Sequence, residues 1–262
     1  MSGTALVTGG GRGIGRTVAR TLTAAGYAVA VTGRTPGPLE EAVAAGDAAL
    51  ALPGDAASRA DVETAVRRTE EELGRLDLLV ANAGRFSAAG PIWESDPEDW
   101  WRDVEVNLRG PQLALWAALS TMVPRGSGRI VVLGSGIGAE GAPYASAYSA
   151  SKAAVMRLVE SVAAEVEDCP ISMFVISPGL VATDMTQFPE AFLAHYPDWR
   201  DIAQRQGIPP ERAAELVLAL ASGQYDALSG RFLRTTTDLE EAAAAAAEEA
   251  PGTLRVVPFG PE

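Results

Sequence analysis

Short apolar runs alternate with longer stretches of helical periodicity along most of this chain. Residues 4–7, 28–32, 48–52, 76–81, 129–133, 171–176 and, more weakly, 230–234 have the pattern of strands. Apolar residues recur at helical spacing over 14–25, 58–73, 97–122 and 145–167. Continuously apolar strands separated by helices predict a parallel sheet with helices on both faces. Right-handed crossovers then give a doubly wound α/β fold of about seven strands.

Two regions depart from this alternation. Residues 186–207 carry the aromatic side chains Phe188, Phe192, Tyr196 and Trp199, and we predict a lid over a substrate site, with an amphipathic surface excursion as the alternative. Residues 238–250 predict an alanine-rich docked helix, which an extended segment at 254–259 follows. No composition break marks a second domain, so we expect residues 1–262 to form one, with 238–262 as its C-terminal helix and tail.

Composition narrows the classes of function. The net charge is −13 and no basic stripe is present, which argues against nucleic acid as a partner. A single cysteine, Cys169, and a single histidine, His195, exclude an internal disulfide and a zinc site built from these residue types. No run resembles a secretory signal or a membrane span, so the expected compartment is cytoplasmic, with no membrane partner.

The first strand leads directly into a glycine-rich loop and a helix. The segment Thr8-Gly9-Gly10-Gly11-Arg12-Gly13-Ile14-Gly15 has the spacing T-G-x-x-x-G-x-G. Glycines let a backbone approach a pyrophosphate, and a helix N-terminus supplies free N–H donors and a positive dipole end. A tight turn without a ligand is the alternative for such a cluster.

The residues after the second strand bear on the choice of dinucleotide. An acidic side chain there would bind the ribose 2′-hydroxyl and select NAD. This chain has Thr32-Gly33-Arg34 instead, and Arg34, assisted by Arg12, could bind a 2′-phosphate. We therefore expect NADP rather than NAD, although either arginine could be an ordinary surface charge.

A helix beginning near residue 145 carries Tyr148 and Lys152, which share a face because they are four residues apart. An ammonium close to a phenol lowers its pKa from about 10 and makes it a better acid or base near neutrality. Lys152 is the one lysine of the chain, beside 20 arginines. An isolated Tyr-x-x-x-Lys is usually an ordinary pair of helix residues, and Tyr144 also lies roughly on this face.

Taken together, these motifs resemble the short-chain dehydrogenase/reductase family in its compact form, from Thr4 to Met185 and more loosely to about residue 234. The resemblance implies a Rossmann fold and a hydride transfer between NAD(P) and a carbonyl or secondary alcohol. It also implies a set of cofactor-binding residues: Thr8, Gly9, Arg12, Gly13, Ile14, Gly15, Arg34, Asp55, Ala56, Asn82, Ala83, Gly84, Tyr148, Lys152, Pro178, Gly179, Val181 and Thr183.

The resemblance further implies four catalytic residues, Asn107, Ser135, Tyr148 and Lys152. Ser135 would hold the substrate oxygen, Tyr148 would exchange its proton, and Lys152 would lower the Tyr148 pKa and bind the nicotinamide ribose. Asn107 would position a water between Lys152 and solvent. Both asparagines of the chain, Asn82 and Asn107, fall on motif positions.

The substrate and the assembly are less determined. Phe86, Trp93, Ile137, Tyr144 and the lid aromatics could line an apolar pocket for a moderately hydrophobic ketone or alcohol. The family often ends in an Asp-Gly-Gly segment that helps to build a tetramer, whereas this chain has Arg234-Thr235-Thr236-Thr237-Asp238. A homo-oligomer, dimer or tetramer, remains the expectation.

Several alternative functions remain. They are a non-catalytic dinucleotide sensor, an NAD-dependent alcohol dehydrogenase, a nucleotide-sugar epimerase or dehydratase, and a methyltransferase. The presence of both Tyr148 and Lys152 argues against the sensor, and the length of the chain leaves no room for the larger substrate domain of the epimerases. A methyltransferase would usually have an acidic residue at the end of the second strand.

Overall fold

A seven-stranded parallel sheet forms the centre of the molecule in the computed structural model, which describes residues 3–183 and 188–247. Its strands are β1 (Gly3–Thr8), β2 (Tyr27–Gly33), β3 (Leu50–Pro53), β4 (Leu76–Ala81), β5 (Gly128–Leu133), β6 (Ile171–Ser177) and β7 (Phe232–Arg234). Their order across the sheet is β3-β2-β1-β4-β5-β6-β7. The order reverses between β1 and β4, which places a crevice at the carboxyl ends of these two strands.

Helices cover both faces of the sheet. They are α1 (Gly13–Ala24), α2 (Pro36–Ala44), α3 (Arg59–Leu73), α4 (Pro97–Val104), α5 (Gly110–Arg125), α6 (Ser146–Glu165), α7 (Glu190–Leu193), α8 (Trp199–Gln206), α9 (Pro210–Ala221) and α10 (Leu239–Ala247). Alternate strand residues enter two separate cores, because successive side chains of a strand point to opposite faces. Val7 and Val31 pack with α1 and α9, whereas Leu6 and Ala30 pack with α3, α5 and α6.

The predicted doubly wound α/β fold is therefore confirmed, and most element ends differ from the prediction by one or two residues. Two helices were missed, α2 and α9, and both begin at a proline, Pro36 and Pro210. Proline favours the first turn of a helix, where its missing N–H has no partner to lose. That signal could have identified both helices from the sequence.

The predicted helix 97–122 is not continuous. A π-helical turn, Glu105–Arg109, separates α4 from α5, and Gly110 N–H donates to the Glu105 carbonyl across this wider turn. Pro111 lies four residues after Asn107 and has no N–H to give to the Asn107 carbonyl, so a regular α-helix would lack a hydrogen bond at this point. Asn107 is thus carried on a distorted turn.

The two irregular regions are helical where they are described. The predicted lid contains α7 and α8 within 188–207, and its first residues, 186–187, lie outside the described part, as does Met185. The predicted C-terminal helix is present as α10, and the segment 254–259 lies outside the described residues. Among the described helices, none combines the length and the apolar character that crossing a membrane requires.

Candidate active site

The loops that follow β1 and β4 meet at the crevice between these two strands. The Thr8 hydroxyl accepts hydrogen bonds from the N–H groups of Asn82 and Ala83, each at 3.0 Å. The Asn82 side chain donates back to the carbonyls of Thr8 at 2.9 Å and Gly9 at 3.2 Å. These four bonds hold the glycine loop and the Asn82-Ala83-Gly84 segment against each other.

The glycine loop is packed too closely for larger residues. A Cβ at Gly15 would lie 2.2 Å from the Gly9 carbonyl oxygen, and Gly9 itself has a φ of +65°. The loop ends at Gly13, the first residue of α1, beside which Thr183 arrives from the segment after β6. Pro178, Gly179 and Val181 belong to the same segment, which therefore borders the loop.

The N-terminus of α1 has no competing anion of its own. Its cap residue, Arg12, makes no side-chain capping bond, and the first turn contains no acidic residue. Ile14 packs against the core below the loop. Free N–H groups at a helix start are donors for a phosphate.

Arg34 and Asp55 flank this loop at the ends of β2 and β3. The Arg34 side chain is exposed, and no carboxylate of the described residues lies within ion-pair distance of it. Asp55 Oδ1 accepts a hydrogen bond from Ala57 N–H at 2.9 Å, and this bond fixes the loop that contains Ala56.

Ser135 and Tyr148 come together although they lie on different elements, after β5 and on the first turn of α6. Burial raises the pKa of Tyr148 to about 12, a hydrogen bond with the Ser135 side chain lowers it, and the charge of Asp103 raises it. The hydroxyl therefore keeps its proton at neutral pH. A protonated phenol beside a serine hydroxyl is suited to give a proton to a substrate oxygen.

Lys152 lies one helical turn beyond Tyr148 and is buried. Its Nζ donates a hydrogen bond to the Leu133 carbonyl at 2.6 Å and lies 5.6 Å from the centre of the Tyr148 ring. Burial lowers the pKa of Lys152 to about 8. The predicted lowering of the Tyr148 pKa by this lysine is not found in the structure: burial raises that pKa, and the ammonium is directed to the Leu133 carbonyl.

Asn107 is buried near this pair, and its side chain bonds the loop after β4. Its Oδ1 accepts from Arg85 N–H at 2.8 Å and its Nδ2 donates to the Arg85 carbonyl at 2.7 Å. The oxygen and the nitrogen of the Asn107 side-chain amide are therefore both hydrogen-bonded to the main chain of the loop after β4. The role of Asn107 in positioning a water stays a prediction, for which its main-chain carbonyl, to which Pro111 offers no N–H, is the candidate atom.

Aromatic rings form a wall along one side of Tyr148. Phe86 lies 5.1 Å from Tyr148 and 5.4 Å from Phe192, measured between ring centres. Further rings extend the wall to Phe188, Tyr144, His195, Tyr196 and Trp199. Trp93 does not belong to it, because its side chain is 80% exposed and has no ring contact within the described residues. Ile137 is half-buried on the short turn after Ser135.

A family comparison matches this arrangement. The model of the short chain dehydrogenases matches residues 3–192, well over half of the chain. The chain belongs to the short-chain dehydrogenase/reductase family. It is thus an oxidoreductase that acts on CH–OH or carbonyl groups and has an NAD(P)-binding fold.

Individual relatives agree with this assignment. A short-chain dehydrogenase/reductase of Hericium erinaceus is 36% identical, over 88% of this chain and 95% of its own. Among solved structures, an actinorhodin polyketide ketoreductase variant with NADPH is similar at a TM-score of 0.81 and 31% identity, over 89% of this chain and 95% of its own. An NAD⁺-bound xylitol dehydrogenase has a TM-score of 0.77 and 25% identity, over 88% and 96%.

Two residues of this short-chain dehydrogenase were not foreseen from the sequence. Arg85 follows the Asn82-Ala83-Gly84 motif, and Asp103 precedes Asn107 by four residues. Asp103 is fully buried and lies 3.3 Å from the Arg85 guanidinium. The spacing of four between Asp103 and Asn107 places them on one helix face and was the available signal.

Proposed function

We propose that this enzyme transfers a hydride between NADP(H) and a moderately hydrophobic ketone or secondary alcohol, with Tyr148 as the general acid in reduction. The observation that carries the proposal is the meeting of the Ser135 and Tyr148 hydroxyls beside buried Lys152, at the edge of the sheet where the glycine loop ends. A non-catalytic role gives no reason for a buried ammonium at this point, because burial of an unpaired charge is costly.

The residues present fit a dinucleotide. The uncapped N–H groups of α1 and the close-packed glycine loop suit a pyrophosphate, and Asp55, Asn82 and Thr183 surround that loop. Lys152 and Tyr148 would lie beside the ribose and the ring at the other end. The nicotinamide, when bound, supplies or accepts the hydride.

The protein's own groups supply positioning and the proton. Ser135 holds the substrate oxygen, and the raised pKa of Tyr148 keeps a proton available for that oxygen. Lys152 provides a positive charge beside the phenol while it is protonated, and the main chain at Asn107 offers a carbonyl through which the proton can be replaced from solvent. Preorganised groups of this kind lower the barrier without reorganisation at the moment of reaction.

The preference for NADP rests on charge. Arg34 is exposed at the end of β2, where Thr32-Gly33-Arg34 contains no acidic residue, and Arg12 stands at the start of α1. A guanidinium binds phosphate oxygens with two parallel hydrogen bonds. We therefore expect tighter binding of NADPH than of NADH.

The substrate preference rests on the aromatic wall beside Tyr148. Phe86, Phe188 and Phe192 bear no charge, and the rings stand within contact distance of one another. Such a lining favours apolar and aromatic ketones such as acetophenone and α-tetralone over charged metabolites.

Tyr148→Phe tests the central assignment, with Tyr144→Phe as its matched control. NADPH oxidation is followed with a panel of ketones that includes acetophenone and α-tetralone, and NADPH affinity is measured by fluorescence. We expect Tyr148→Phe to abolish turnover with little change in NADPH affinity, and Tyr144→Phe to remain active. Near-normal rates in Tyr148→Phe would refute the assignment, and NADPH binding by the wild type without turnover of any ketone would favour a dinucleotide sensor.

Arg34→Ala tests the cofactor preference. Loss of charge-assisted hydrogen bonds should weaken NADPH binding by about 10- to 100-fold and leave NADH binding nearly unchanged. Arg67→Ala removes another exposed arginine, from α3, and serves as the control. Equal losses for the two dinucleotides would contradict a contact between Arg34 and the 2′-phosphate.

A further inference from the structure

Asp103 is a fully buried carboxylate whose partners all belong to the loop beside the active site. Its Oδ2 accepts hydrogen bonds from Ser87 N–H at 2.7 Å and Ala88 N–H at 2.9 Å. Its Oδ1 lies 3.3 Å from Arg85 Nε and accepts no hydrogen bond within the described residues. Burial of a carboxylate is costly and adds little to stability, which points to a specific role for Asp103.

Asp103 and Asn107 hold one short stretch of backbone between them. The Asn107 side chain bonds both the N–H and the carbonyl of Arg85. The Asp103 carboxylate accepts hydrogen bonds from the N–H groups of Ser87 and Ala88. The four bonds come from one helix face, across the change from α4 to the π-helical turn. The backbone of residues 85–88 is therefore fixed to the helix on both sides of Phe86.

Phe86 is the ring that this stretch presents to the active site. It contacts the Tyr148 ring and also the rings of Phe188 and Phe192 in the predicted lid. A shift of the backbone at Ser87 and Ala88 would move a ring that touches both Tyr148 and the predicted lid. Misplacement of a reacting group by about 1 Å can cost about 100-fold in rate.

We propose that Asp103 is a positioning residue of this site, which holds residues 85–88 and thereby sets the Phe86 ring against Tyr148. This inference rests on the proposed function, because it treats Tyr148 as the proton donor. The carboxylate also acts on Tyr148 through space, since its negative charge raises the Tyr148 pKa and helps to keep the proton in place.

The other charged groups around Tyr148 within the described residues do not duplicate this role. Lys152 lies on the same helix as Tyr148 and donates to Leu133. Arg85 pairs with Asp103 and, at 3.5 Å, with half-exposed Asp99. On the lid side, His195 stacks on Tyr144 rather than on Tyr148. Asp99 thus offers a matched comparison, because it shares the Arg85 partner but bonds no N–H of the loop.

Three variants separate positioning from general stability: Asp103→Ala, Asp103→Asn and Asp99→Ala. Asp103→Ala loses both acceptor bonds, and we expect kcat/KM for α-tetralone to fall about 10- to 100-fold through a lower kcat and a higher KM, while the Kd for NADPH is unchanged. Asp103→Asn keeps one acceptor oxygen for the loop and should recover part of the loss. Asp99→Ala should stay within about twofold of the wild type.

Hydrogen exchange supplies a measurement that needs no substrate. The amides of Ser87 and Ala88 should exchange about tenfold faster in Asp103→Ala than in the wild type or in Asp99→Ala. If wild-type enzyme reduces no ketone, the proposed function fails while this exchange pattern still tests the positioning. If Asp103→Ala does not fold, the comparison of Asp103→Asn with Asp99→Asn replaces it.

Two results would overturn the inference. In the first, Asp103→Ala has the same amide exchange rates at Ser87 and Ala88, and the same changes in kcat and in KM, as Asp99→Ala. The other is an Asp103→Asn enzyme with no more activity than Asp103→Ala, because the retained acceptor would then contribute nothing.

Discussion

Two ionisable side chains, half-buried Tyr148 and buried Lys152, stand one helical turn apart on α6, and loss of water contact moves their pKa values in opposite directions. Removal of water disfavours the charged form of each group, so the pKa of the phenol rises to about 12 and that of the ammonium falls to about 8. At neutral pH both groups carry a proton. This protonation state is what the proposed role of Tyr148 as proton donor requires.

The pH dependence of ketone reduction follows from the raised pKa of Tyr148 and the lowered pKa of Lys152. Lys152 is charged below a pKa of about 8 and loses its charge as the pH rises through that value, whereas Tyr148 stays protonated. We expect kcat/KM for reduction to fall as the pH rises through about 8. Steady-state rates at a series of pH values provide the measurement.

Lys152→Arg serves as the control for this profile. A guanidinium stays charged throughout this range, so the variant should have a low rate but no alkaline fall near pH 8. An unchanged alkaline fall in Lys152→Arg would assign the titration to another group.

At the scale of elements, the turn from β1 into α1 shows how local chain geometry prepares a site. The loop must bring the backbone of Gly9 against that of Gly15, and the Asn82 amide against both. Only residues without side chains permit this approach, and the result is a helix start with free N–H groups. The helices α7 and α8 of the predicted lid, in contrast, reach the candidate site through ring contacts.

Gly15→Ala and Gly37→Ala form a matched pair for this loop. The Cβ added at Gly15 meets the Gly9 carbonyl at 2.2 Å, so we expect a destabilisation of about 1–3 kcal/mol and weaker NADPH binding. A Cβ at Gly37, within α2, meets nothing within 4 Å, and because the gain from a stiffer unfolded chain is offset by the following Pro38, stability should change by less than about 1 kcal/mol. Urea denaturation and NADPH fluorescence measure both effects, and equal stabilities would contradict the close packing.

Trp199→Ala tests the interpretation of 188–207 as a substrate lid. Trp199 lies about 6 Å from the Phe188 and Phe192 rings, and loss of these contacts should raise KM for α-tetralone about 2- to 10-fold with little effect on kcat. Trp93→Ala removes an exposed tryptophan outside the aromatic wall and should leave KM unchanged. A lower KM or an unchanged one in Trp199→Ala would favour a surface excursion over a lid.

At the scale of the whole molecule, the strand order determines where the loops that carry the candidate site residues meet. Because the order reverses between β1 and β4, loops that are far apart in sequence, after Thr8, Ala81, Leu133 and Ser177, emerge at one edge. The two cores on either face keep the sheet rigid, which holds the loops in register. The outer surface also carries large exposed apolar side chains on α4 and α5.

Self-association and a cytoplasmic location stay predictions, and the former can be tested on these exposed side chains. Trp101 is 59% exposed and Trp116 41% exposed, and exposed apolar side chains of this size are frequent at subunit interfaces. We expect light scattering to give the mass of a dimer or tetramer, and Trp101→Glu with Trp116→Glu to reduce it to that of one chain. A wild-type monomer would contradict the prediction.

The fold and the candidate residues were open to prediction to different degrees. The parallel sheet could be predicted because continuously apolar strands have one physical explanation, burial on both faces. The pairing of Tyr148 with Lys152 could be predicted from helical spacing. The turn at Glu105–Arg109 and the direction of the Tyr148 pKa could not, because they depend on neighbours from other elements.

The amino-acid sequence alone determines the features that depend on spacing along the backbone. These are the alternation of strands and helices, the glycine turn, and the side chains that share a helix face. Tertiary structure alone decided that Lys152 donates to Leu133, that the Asn107 amide holds Arg85, and that Asp103 is buried beside the Phe86 loop. The physical reason is that burial and partner choice depend on what other segments bring to the same place. Neither quantity can be read from the residues on either side.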